Sequence, residues 1–155
     1  MSRTLSKLSA FIEDRREALE ERALVRFETG EAPQEALSPA AKADAFAQRF
    51  GFQPIGFNWE MLDPGENWTV PRSARATMVE ALATDISDRK TLWLGDTRVL
   101  QCAEAFLGAF APSERTIVTN QLNGLWYPIS GAADEWSFVG FDDAPIALLV
   151  LVPRV

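Results

Sequence analysis

Asp142 and Asp143, adjacent in the stretch FDDAP, are the residues of this chain closest to acid–base equipment. Paired carboxylates cleave glycosidic bonds when they face each other across about 5–9.5 Å, one as acid and the other as base or nucleophile. Neighbours in a turn point apart instead, and no spaced set of oxygen ligands surrounds this pair to hold a hard cation. The pair therefore reads as a solvated turn, with an acidic tip for docking a partner as its functional use. Cys102 is the other reactive type, with Arg98 one helical turn before it to favour a thiolate. Its neighbours Ala103 and Phe106 point rather to an inert, buried cysteine.

The chain contains no histidine. Ser-His-Asp and Cys-His nucleophile activation, histidine acid–base chemistry and haem ligation by histidine are excluded with it. A single cysteine cannot complete a tetrahedral zinc set or an intrachain disulfide. Neither a Gly-x-Gly-x-x-Gly fingerprint nor a Walker A loop occurs, so the common nucleotide-phosphate cradles are missing too. No cofactor and no metal are expected, and catalysis ranks below binding.

Charge narrows the partners. Twenty-two acidic residues against 15 basic ones give a net charge of −7, and no lysine or arginine lies between Arg115 and Arg154. Nucleic acids and anionic membranes both require a basic surface, so neither is expected as a partner. A protein partner, particularly a basic one, or a second copy of the chain is compatible with this balance. The N-terminal stretch MSRTLSKLSAFIED lacks the uninterrupted apolar segment of a secretory signal, and the apolar run from Ala144 to Val152 is far short of a membrane span. A cytoplasmic location is expected, and the excess of arginine over lysine with abundant alanine fits a GC-rich bacterial genome.

The elements that must position any site follow from periodicity. At 155 residues and 47% apolar content the chain is expected to form one domain, helical over about 1–112 and built of β-hairpins over about 113–155. Leu5, Leu8, Phe11, Ile12, Leu19, Ala23 and Phe27 predict a first amphipathic helix over 5–27. The stretch ETGEAPQEALSP then connects to a second helix over 39–50, capped by Ser38 with Pro39 in its first turn and stopped at Gly51. Alternation of Phe57, Trp59 and Met61 predicts a short half-buried strand before a turn at Asp63-Pro64-Gly65. A third helix is expected over 73–86 and a fourth over 96–110, the latter capped by Asp96; TLWLG between them fits a brief strand or a buried crossing.

After Pro112 the period becomes two. Asn123-Gly124 is a strong type I′ hairpin signal and sets Leu122 opposite Leu125. Continuing that register places Asn120–Tyr127 and Val118–Ile129 on the core face, and Gln121–Trp126, Thr119–Pro128 and Ile117 on the other. Pro128 belongs on an edge or at a bulge. Residues 136–141 and 146–152 form a second hairpin whose last strand, apolar at every position, must be covered on both sides. The expected architecture is α+β, with about four helices packed on one face of a mostly antiparallel sheet.

The opposite face then carries Trp126, together with either Trp136 and Phe138 or Val139 and Phe141. Trp59, Trp68 or Trp93 folding over it would make a second core layer; otherwise the face is a docking surface, since tryptophan supplies much contact area with few rotors. The binding residues expected on this basis are Trp126, Tyr127, Gln121, Asn120, Trp136, Phe138, Asp142 and Asp143. The favoured function is a small acidic protein-binding module, inhibitor-like or immunity-like by charge and size. The alternative is a small-molecule-binding domain in which Asn120, Gln121 and Tyr127 orient a ligand in an aromatic pocket.

Overall fold

The computed structural model describes residues 3–35, 37–63 and 72–154. The elements run α1 (Arg3–Leu19), β1 (Ala23–Glu31), α2 (Pro39–Gln48), a 3₁₀ turn (Gly56–Asn58), β2 (Glu60–Leu62), α3 (Ala74–Ala83), α4 (Asp96–Leu107), β3 (Thr116–Thr119), β4 (Gln121–Leu122), β5 (Leu125–Trp126), β6 (Trp136–Phe141) and β7 (Pro145–Pro153). Five strands form a sheet in the order β1-β7-β6-β3-β2, with neighbours antiparallel, and β4-β5 form a separate two-stranded ribbon. The fold is α+β, as the change of period predicts. The tripeptide proposed as a turn at 63–65 lies, beyond Asp63, outside the described residues, as does Trp68.

β7 is central and apolar on both faces, and the chain itself covers both. Ala147, Leu149 and Leu151 look into one cluster with Leu8, Phe11, Met78 and Phe106 of α1, α3 and α4. Ile146, Leu148 and Val150 look into a second cluster with Ala43, Phe46, Phe52 and Trp59. Three helices thus share one face, and α2, with the segment following it, takes the other. The physical reason is the strand itself: with every position of β7 apolar, helices confined to one side would leave half its side chains in water.

The first helix is shorter than its periodicity implies. It ends at Leu19, and Ala23 and Phe27, which fit a helical stripe, also fall with Val25 in alternation with Leu24, Arg26 and Glu28 as in a strand. Pairing along the whole of β7, from Ala23 opposite Pro153 to Glu31 opposite Pro145, decides for the strand. The β-branched and aromatic residues of this stretch favour the same outcome. Ala23, Val25 and Phe27 reach the first cluster, where Phe27 meets Phe11 at 5.5 Å.

Of the two expected caps, the one at Ser38 forms and the one at Asp96 does not. Ser38 Oγ accepts from Ala41 N–H at 3.2 Å with Pro39 in the first turn, and Ser73 Oγ accepts from Ala76 N–H at 3.1 Å. At α4 the cap is Gly95, and Asp96 is the first helical residue, where its carboxylate still favours the positive end of the helix. Phe57 is 90% exposed within the 3₁₀ turn and Met61 is exposed on β2, leaving Trp59 as the buried member of the expected alternation. In TLWLG the backbone crosses as a single antiparallel bridge, Thr84 to Leu92, with Trp93 and Leu94 buried.

Candidate functional site

The Asn123-Gly124 turn has φ of 53° at Asn123 and 79° at Gly124, as a type I′ turn requires. Leu122 faces Leu125 and Gln121 faces Trp126 in the expected register, and Tyr127 N–H donates to Asn120 O at 2.8 Å. There the hairpin parts from the sheet. β3 is flanked by β2 and β6, so Val118 pairs with Met61 and Val139 rather than with Ile129. The extended register fails because β3 is only four residues long before the chain bends at Asn120 and carries the ribbon out of the sheet plane.

Trp126 stays on the side its register gives it, with Ile117 and not with Val118 and Ile129, but that side, expected to face away from the main core, is the one the three helices cover. The indole packs against the first cluster, edge-on to Trp136 at 5.8 Å, and Trp136 stacks on Phe138 at 5.7 Å. Trp136 and Phe138 are fully buried under α1, α3 and α4, while Val139 and Phe141 lie under α2. The docking face inferred from the aromatics is therefore a core layer, with Trp59 closing the second side. Trp126 and Tyr127 remain half-buried at the sheet margin, and Leu125 beside them is 62% exposed. Trp126 Nε1 is buried and has no hydrogen-bond partner among the described residues.

Beneath the ribbon lies a polar cluster whose centre, Glu135, periodicity does not reveal. Glu135 is fully buried. Its carboxylate accepts from Ile129 N–H at 2.9 Å, Ser130 N–H at 2.9 Å, Ser137 Oγ–H at 2.6 Å, Asn120 Nδ2–H at 3.2 Å and the Ser130 hydroxyl. Ser137 N–H in turn donates to Asn120 Oδ1 at 2.8 Å. Both strands of the hairpin are thereby tied at their base to the start of β6. Five donors converging on one carboxylate hold it without a basic partner, because charge-assisted hydrogen bonds replace its lost hydration. The available signal was local: Glu135 is the charged residue that opens an otherwise uncharged strand, with Ser137 two residues on.

The remaining expected residues are similarly engaged. Asn120 is buried with its amide committed to Glu135, Ser137 and the carbonyl of Tyr127, and Gln121 accepts from Arg72 at 2.9 Å. Asp142 Oδ2 accepts from Thr4 Oγ–H at 2.8 Å and Ala111 N–H at 2.9 Å, joining the start of α1 to the segment after α4. Asp143, next to it, is exposed. The two carboxylates are thus unlike in role. Asp44, absent from the sequence expectations, accepts from Ile55 N–H, Gly56 N–H and Trp59 Nε1–H at 2.8–2.9 Å and binds the 3₁₀ turn to α2.

Cys102 lies buried in α4, and burial pushes its thiol up to about 11 despite the opposing charges of Arg15 and Arg98. Desolvation of a thiolate outweighs two cations at the helix surface, which makes it a packing residue. Among the described residues no group of three or more Cys, Asp or Glu side chains is gathered to hold a metal ion, and no helix is long and apolar enough to cross a membrane.

The fold and the braced ribbon define an α+β chain whose sheet is covered on both faces and whose aromatic margin stays partly open. No family model matches the chain, and no match was found among curated proteins or solved structures.

Proposed function

We propose that the chain is a small acidic protein-binding module and that the β4-β5 ribbon is its contact element. The observation that carries this reading is the contrast within the ribbon: an exposed Leu125 beside half-buried Trp126 and Tyr127, on a base fixed by the fully buried Glu135 cluster. An apolar tip held rigid before binding loses little conformational entropy when it docks. Aromatic residues at its root supply contact area with few rotors. The net charge of −7 and the basic-free stretch from 116 to 153 favour a partner whose contact surface is apolar at its centre and basic around it.

A photo-reactive amino acid in place of Leu125 identifies the partner, and titration calorimetry with the purified partner supplies the test. Leu125→Asp is expected to weaken that complex at least about tenfold, the loss of one well-packed apolar anchor, with stability changed by less than about 0.5 kcal/mol because the side chain is exposed. Unchanged affinity of Leu125→Asp for the captured partner overturns the assignment of the ribbon.

A further inference from the structure

β1 is an edge of the five-stranded sheet, nine residues from Ala23 to Glu31 bonded on one side to β7. The phase of that ladder follows from the bonds just beyond its ends. Ala32 N–H donates to Ala144 O at 2.6 Å, and Arg154 N–H donates to Arg22 O at 3.3 Å. Antiparallel bonds join alternate residues, so even-numbered residues of β1 direct their backbone groups to β7. Val25, Phe27 and Thr29 direct theirs outward, and these have no hydrogen-bond partner among the described residues, while the Glu31 carbonyl accepts from Arg49 at 2.9 Å. The strand has neither a proline nor an added lysine to blunt it.

Its side chains select a partner. Arg26 and Glu28 lie on the α2 side, where the Arg26 guanidinium sits 4.7 Å from the Phe52 ring centre and 3.2 Å from the Glu28 carboxylate. We infer that β1 is a self-association edge that pairs antiparallel with β1 of a second copy of this chain, with Phe27 on the twofold axis. In that register the outward groups of Phe27 meet those of the second Phe27, and Val25 meets Thr29. Arg26 then lies opposite Glu28 twice, at non-hydrogen-bonded positions where facing side chains are closest. Half-exposed Leu24 lies opposite Gly30, which offers no side chain to obstruct it.

The neighbouring twofold registers are unfavourable for the same reason. Centring on residue 26 sets Arg26 against Arg26, and centring on residue 28 sets Glu28 against Glu28, like charges directly opposed. The pairing joins two five-stranded sheets into one and uses no residue of the ribbon, so it stands independently of the partner reading above.

Sedimentation equilibrium over a wide concentration range tests it. The wild-type chain is expected to dimerise. Arg26→Glu and Glu28→Arg alone each turn two attractions into two repulsions and weaken the dimer by about tenfold or more, with a smaller effect in high salt. The double exchange R26E/E28R restores opposite charges and is expected to restore the dimer. Thr29→Pro removes an outward N–H that β7 does not use and is expected to give a folded monomer by far-UV circular dichroism. A wild-type monomer at every concentration, or a dimer indifferent to Thr29→Pro, overturns the edge; a double exchange as weak as the single ones overturns the register.

Discussion

At the scale of single residues, this chain uses its acids to fasten backbone. Glu135, Asp44 and Asp142 each gather donors from outside their own element, and each accepts from backbone N–H groups in loops. Glu135 is the most enclosed, so its removal should be the most costly. Glu135→Ala would leave two backbone N–H groups, two hydroxyls and an amide facing a void, and is expected to cost about 3–5 kcal/mol. Glu135→Gln keeps the shape but turns an NH₂ toward groups that themselves donate, and is expected to cost roughly 1–3 kcal/mol. Urea unfolding followed by circular dichroism distinguishes these, since an exposed acid would give less than about 0.5 kcal/mol for either change.

At the scale of elements, a tight packing contact decides where a side chain is forbidden. Gly140 lies within β6, and a Cβ there would stand 2.7 Å from two ring carbons of Phe110 and 3.0 Å from Ile117 Cδ1. Phe110 follows α4, so this glycine sets how closely the α4 end approaches the sheet. Gly140→Ala is expected to destabilise by about 1–3 kcal/mol through overpacking, although alanine suits a strand better than glycine does. Thermal unfolding checks the sign, and a gain in Tm would mean that the ring moves freely. The elements legible from sequence were those with local causes: the Ser38 cap, the Asn123-Gly124 turn and the apolar stripe of α4. β1 was not, because its residues satisfy two periods and a strand more than a hundred positions away in sequence chooses between them. The ribbon's departure at Asn120 was hidden for a related reason. It depends on β2 taking the place beside β3 that a continued hairpin would have filled, and on a buried glutamate whose five donors come from four separate residues.

At the scale of the whole molecule, alternate residues of the same two strands feed two cores. Phe138, Leu149 and Leu151 belong to the cluster under α1, α3 and α4, whereas Val139, Leu148 and Val150 belong to the one under α2. Neither layer can be lost while the other keeps its strands dry on both sides, so melting is expected to be a single cooperative event. Phe46 and Phe106, both fully buried, probe the two layers independently. Phe46→Ala and Phe106→Ala are each expected to cost about 3–5 kcal/mol and to shift one common transition, with tryptophan fluorescence and far-UV circular dichroism remaining superimposable. A divided transition in Phe46→Ala alone would show that α2 and its cluster are a detachable cover. Coincident curves in both variants would show that the doubly apolar β7 makes the two layers thermodynamically one.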